Sequence, residues 1–123
     1  RASRRVKFIS VELWRDGILV AGELGYAVGS SYASLSGFRS LSGAGTVQLA
    51  ALAGLLAESG FRIWDLGMPM QYKTALGGHS IPRHEYLPLL HDAYLRLPVH
   101  PLGISLEPAA VRFPVACTRA ECG

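Results

Sequence analysis

With 123 residues, half of them hydrophobic, the chain holds enough apolar material for one core and not for two, so a single domain is expected. A formal charge of +3 favours polyanionic partners such as RNA without requiring one. No apolar run approaches the ~20 residues that span a bilayer, no secretory signal pattern is seen, and two cysteines are too few for a disulfide framework or a zinc site. Cys117 and Cys122 therefore read as free thiols of a reducing, cytoplasmic setting. The chain starts with Arg and runs into a strand pattern within a few residues, which reads as a piece of a longer polypeptide with a domain upstream.

Val6 to Trp14 alternates, with Val6, Phe8 and Ser10 and then Glu12 and Trp14 on one face, and Asp16-Gly17 supplies a hairpin turn. Ile18 to Val28 is the returning strand and Ser30 to Gly37 a third, small-residue strand, so this part reads as an antiparallel meander. Glycines inside it invite bulges or close backbone approach. Phe38 to Gly45 is a loop, and Thr46 to Ser59 a helix: Val47, Leu49, Leu52, Leu55 and Leu56 recur at helical spacing, and Gly60 is the stop. Phe61 to Leu66 returns as a buried strand, Met70 to Leu76 is a short helix, and Arg83 to Leu95 is a further helix just after Pro82. Beyond Leu97 prolines interrupt every period. Residues 98–123 are read as a loosely ordered tail after a folded unit of residues 1–97.

The stretch Phe61 to Arg83 is where chemistry is expected, because a short apolar strand delivers one carboxylate, Asp65, into a Gly/Pro-punctuated loop. Its apolar neighbours favour a proton acceptor, whereas Gly67 and Pro69 make a turn that an aspartate side chain can equally well cap. The loop Ser40 to Gly45, SLSGAG, stands between a strand and a helix. Its glycines either permit a tight turn or let the unpaired first-turn amides hold an anion, as in the pyrophosphate loop of the acetyltransferase-like fold. Leu49, Leu52 and Leu56 form an apolar stripe that serves as core, as a pocket floor, or as both. His79, His84, His91 and His100 have no metal-ligand spacing, so no metal site is expected. No Gly-x-Ser-x-Gly elbow supports a serine nucleophile.

Glu12-Leu13-Trp14, Leu19-Val20-Ala21-Gly22, Gly25-Tyr26-Ala27-Val28-Gly29, Asp65, Thr74-Ala75-Leu76-Gly77-Gly78 and Ile81-Pro82-Arg83-His84-Glu85-Tyr86-Leu87 follow one another in a distinctive order and spacing. In this the chain resembles the leucyl/phenylalanyl-tRNA-protein transferases over about residues 8–97. The resemblance implies that family's C-terminal, GNAT-like domain: an α+β fold with a mixed, mainly antiparallel sheet flanked by helices, the N-terminal domain lying upstream of Arg1. It implies transfer of leucine or phenylalanine from aminoacyl-tRNA to the N-terminal Arg or Lys of an acceptor protein, marking it for degradation. A monomer without membrane association, metal or organic cofactor is implied.

By that resemblance Asp65 is the catalytic residue, helping the acceptor α-amine lose its proton and attack the ester carbonyl together with a glutamine two residues on. The glutamine falls on Gly67, an asparagine further along on Met70, and the pocket Glu and Met on Leu35 and Gly37. The aminoacyl side-chain pocket falls on Leu52 and Leu56, with Trp64 on the adjoining strand and Glu23 on the second strand. Leu52, Leu56 and Leu35 would bury a Leu or Phe side chain for about 1.5 to 3 kcal/mol. Two alternatives stay open: an acetyl-CoA-dependent N-acetyltransferase using Ser40 to Gly45, and a transferase-like domain that binds peptide N-termini or aminoacyl-RNA without turnover.

Overall fold

The computed structural model describes residues 6–67, 71–99 and 120–122. Three long strands come first, β1 (Lys7–Arg15), β2 (Ile18–Val28) and β3 (Ser31–Arg39). Helix α1 (Ala44–Glu58), strand β4 (Ile63–Asp65), the short helix α2 (Gln71–Ala75), strand β5 (His79–Ser80), helix α3 (Arg83–Leu95) and strand β6 (Ala120–Cys122) follow. Together the strands make one six-stranded sheet in the order β1-β2-β3-β4-β6-β5. Its long pairings are antiparallel and its short ones parallel.

The meander forms as the sequence indicates. Asp16 and Gly17 both take positive φ, 52° and 76°, the backbone twist that joins two right-twisted strands without splaying them. Alternation then sorts the faces: Ile9, Val11 and Leu13 turn inward, while Phe8 and Trp14 remain 69% and 48% exposed. The pairing slips at Leu13/Trp14 and again at Leu24/Gly25. Gly25 is a point of close approach, since a Cβ there would overlap the phenol of Tyr32 and come within 2.5 Å of the Ala33 carbonyl oxygen.

Helix α1 begins at Ala44, ahead of the expected Thr46, because the Leu41 carbonyl accepts the Ala44 N–H at 3.0 Å and the Gly43 carbonyl accepts that of Val47 at 3.2 Å. At its other end the N–H groups of Ser59, Gly60 and Phe61 close onto the carbonyls of Leu55, Ala57 and Leu56, the stop expected of Gly60. Leu52 and Leu56 meet Tyr32, Trp64 and Leu66 in the main core, each at most 4% exposed. On the opposite face α3 sets Tyr86 and Ala93 against Ile63. Ser30 fastens that helix, its N–H and its hydroxyl both donating to the Ala93 carbonyl at 2.9 Å. A sheet with a helix on each face is the expected α+β class, and α1 is the long crossover that two adjacent parallel strands need.

Two short strands depart from the sequence reading. His79–Ser80 forms β5, and Ala120–Cys122, within the stretch expected to be a loose tail, forms β6 between β4 and β5. It pairs in parallel with both, Trp64 opposite Ala120, Asp65 and His79 opposite Glu121, and Ser80 opposite Cys122. Strands of two or three residues held by main-chain bonds carry no measurable period, so no apolar pattern announced them. Residues 100–119, with His100 and Cys117, and Pro69 and Met70 of the second loop lie outside the described residues. Among the described residues no helix is long and apolar enough to cross a membrane.

Candidate functional site

The parallel strands β3 and β4 run together for only three positions, Ser31 with Ile63, Tyr32 with Trp64 and Ala33 with Asp65, and then part. β3 continues to Arg39 along β2, while the chain after Asp65 turns away. A cleft of about 640 Å³ opens in this fork, between the outer half of β3, the start of α1 and, across from them, Leu66 and Lys73. Open sheets commonly receive ligands at the carboxyl ends of parallel strands that separate, because the backbone there leaves a crevice on a rigid support.

Glu23, on β2, lines the cleft and is 8% exposed. Its Oε2 accepts the Tyr32 hydroxyl at 2.7 Å and the Ser34 hydroxyl at 2.6 Å, and its Oε1 accepts Gln48 Nε2 at 3.3 Å. Trp64 Nε1 donates to Ser34 Oγ at 3.0 Å, so the indole reaches the same network from the core. The local pattern explains the meeting: the slip at Leu24/Gly25 and the missing side chain of Gly25 let the Tyr32 phenol pass over β2 to the carboxylate. The Tyr32 phenol is pushed far above its ordinary value of about 10, by burial first and then by the charge of Glu23 and the bond to it. It therefore stays a proton donor.

Asp65 is the last paired residue of β4 before the fork. Alternation points Trp64 at α1 and sends Ile63 and Asp65 to the α3 face. There Asp65 Oδ2 accepts the Tyr86 hydroxyl at 3.0 Å, and its Oδ1 accepts the Gly67 N–H at 2.8 Å. The second bond is the turn cap that the sequence allowed. Tyr86 is likewise held well above the usual tyrosine range, chiefly by burial and next by the Asp65 charge and hydrogen bond.

Of the expected site residues, Glu23, Leu35 and Gly37 come together on the cleft. Leu52, Leu56 and Trp64, 1%, 4% and 2% exposed, sit in the core and are not among the cleft-lining residues. From α1 it is Gly45, Thr46, Gln48 and Leu49 that line the cleft. Asp65 stands at the fork without lining the cleft, and Gly67 meets it through its backbone. The glycine loop does reach the site, with Ser42, Gly43 and Gly45 on its wall. Sequence reasoning missed Tyr32, Ser34, Gln48 and Tyr86. A signal existed for the first two: a carboxylate inside an apolar strand, with Tyr and Ser two apart on the next strand, sets three polar groups on one face. His79, His84 and His91 are exposed, and among the described residues no His, Cys, Asp and Glu cluster could hold a metal ion.

Comparison with known proteins places the chain in a family. The family model described as leucyl/phenylalanyl-tRNA protein transferase matches residues 4–91. A leucyl/phenylalanyl-tRNA-protein transferase of Azotobacter vinelandii is 40% identical over 77 residues, covering 63% of this chain and 34% of the relative. Those of Syntrophotalea carbinolica and Chromohalobacter salexigens are 34% identical over 105 residues and 39% over 101, covering 85% and 82% of this chain and 43% and 38% of themselves. The chain thus spans about two fifths or less of the length of these curated relatives.

Proposed function

The chain belongs to the leucyl/phenylalanyl-tRNA protein transferase family, and from that premise we propose that it carries the aminoacyl-transfer site of a protein that moves leucine or phenylalanine from aminoacyl-tRNA to an acceptor protein. The acceptor class is an N-terminal Arg or Lys, and the setting is a cytoplasmic monomer whose residues 1–97 form a GNAT-like catalytic unit. What carries the reading is the matched span: residues 4–91 contain every residue that lines the cleft and both partners of the Asp65 carboxylate. The acetyl-CoA alternative draws only on the glycine loop, which the transferase reading also uses.

In this reading the cleft at the β3/β4 fork receives the aminoacyl ester, with Leu35 and Leu49 against its side chain and Leu52, Leu56 and Trp64 supporting that wall from the core. Asp65, on the α3 side of the fork and held by the Gly67 N–H and the Tyr86 hydroxyl, takes the proton through water from an α-amine that approaches the ester across the mouth of the fork. The amine nitrogen bonds to the ester carbonyl carbon, the ester C–O bond breaks, and the tRNA 3′-terminal oxygen leaves with the proton that Asp65 had taken up. The two hydrogen bonds fix the direction of the carboxylate, and Tyr86 remains protonated throughout because burial and the Asp65 charge oppose its ionisation.

Asp65→Asn keeps an oxygen for the Gly67 N–H and removes the basic group. In the full-length protein it is expected to slow transfer of labelled leucine from leucyl-tRNA to an Arg-initiated peptide by about 10²-fold or more. Unchanged transfer would remove Asp65 from the chemistry. No transfer by the unmodified full-length protein would remove the activity itself.

A further inference from the structure

The cleft does not have the floor that a purely hydrocarbon pocket needs. The apolar side chains expected there, Leu52, Leu56 and Trp64, are closed into the core, and in their place the cleft presents the carboxylate of Glu23. Glu23 is 8% exposed, and among the described residues its partners are three neutral donors, Tyr32, Ser34 and Gln48. Arg39 and Lys73 stand on the cleft walls, Lys73 Nζ donates to the Leu66 carbonyl at 2.6 Å, and the ion pairs among the described residues do not involve Glu23.

Removing a charge from water without a counter-charge is costly, and neutral hydrogen bonds offset only part of that cost. A carboxylate offers about four acceptor positions, of which three are taken here, one by the long 3.3 Å contact from Gln48. One acceptor position is left, on a side chain that lines the cleft. The donors also fix the group in place: the Tyr32 phenol is locked as a donor by burial and by Glu23 itself, and Ser34 is held from behind by the Trp64 indole. A rigid, partly satisfied anion in a crevice is complementary to a small cation that brings its own hydrogens.

We propose that Glu23 is the anchor of an ammonium-binding subsite in the cleft, whose ligand is the primary ammonium of an amino acid ester or of a peptide N-terminus. The choice of these ligands rests on the aminoacyl-transfer reading, and the subsite itself rests on the carboxylate and its surroundings. Either source supplies the same –NH3⁺ group. Leucine methyl ester stands for the ester and an Arg-Ala peptide amide for the N-terminus.

The test is equilibrium binding to the 123-residue chain, by calorimetry or ligand-observed NMR, at a pH where each amine is charged. Each ligand is compared with its N-acetyl derivative, which lacks the charge and carries one small added group. At least one ammonium ligand is expected to bind about tenfold or more tightly than its acetylated form, the scale of a charge-assisted hydrogen bond. The ligand that shows the preference identifies the source. Glu23→Gln is expected to abolish the preference, and Glu23→Asp, which keeps the charge but withdraws it by one methylene, to reduce it without abolishing it.

Equal binding of charged and acetylated forms by the unmodified chain overturns the subsite whether or not the variants fold, and a preference that survives in Glu23→Gln overturns the role of Glu23. Binding is read without turnover. A chain that prefers the ammonium while the full-length protein transfers nothing overturns the transferase reading alone, and full-length transfer without the preference overturns this inference alone.

Discussion

At the scale of single residues, both buried tyrosines of the site are proton donors to carboxylates, Tyr32 to Glu23 and Tyr86 to Asp65. Their folded-state ionisation lies above the ordinary tyrosine value, from burial first and the neighbouring carboxylate second. In the unfolded chain these phenols lose their protons near pH 10, while in the folded chain they keep them, so between those values the folded state binds more protons. Their stabilising contribution is therefore complete below about pH 10 and is lost as pH climbs through the folded values. The thermal midpoint is expected to fall from about pH 9.5 upward, and Tyr86→Phe to flatten part of that fall. Parallel curves for the two chains would show that Tyr86 is not linked to folding. Legibility at this scale followed sequence distance. The turn between Asp65 and Gly67 could be read because the partners are two residues apart, whereas Tyr86 and Gln48 reach their carboxylates from 21 and 25 residues away, on elements whose packing no local pattern records.

At the scale of elements, the two long helices were legible, the first because helical spacing runs up to the stop at Gly60 and the second because Pro82 marks its start. Helical spacing reports which side of a helix is apolar, however, and not whether that side meets a strand or a void. Leu52 and Leu56 consequently read equally well as pocket and as core, and only the position of Tyr32 and Trp64 beneath them makes them core. Helix α3 carries a residue whose local preference opposes its element, Pro88, which lies inside the helix on its exposed side. Proline there withholds the N–H that the His84 carbonyl would accept, and its ring crowds that same carbonyl. Pro88→Ala restores the bond and removes no buried contact. It is expected to raise stability by about 1 kcal/mol or more, seen as a thermal midpoint several degrees higher. A lower midpoint would mean that the proline's restriction of the unfolded chain outweighs the lost helix bond.

At the scale of the whole molecule, the order of strands β1 to β4 was recoverable because each connection is either a tight turn or a helix of crossover length, and both permit few arrangements. The far edge of the sheet was not, since β6 enters from the end of the chain and is inserted between two strands that precede it. The energetics of the two halves differ accordingly. Among the described residues the three apolar clusters are built between Ile9 and Ala93, while β6 makes short main-chain pairings to β4 and β5. Val99 is also tied to the main body, its N–H donating to the Ser59 carbonyl at 2.7 Å. A chain ending after Val99 keeps that tie and these three clusters of described residues, and loses β6. It is expected to unfold in one cooperative step with a midpoint within a few degrees of the parent, because buried apolar area and not edge pairing dominates the stability of a small domain. Amide exchange should quicken at His79 and Ser80, which have lost the strand they pair with, and stay slow in β2 and β3. Loss of cooperative unfolding in the shortened chain would instead make β6 part of the folding unit and extend the domain past residue 97.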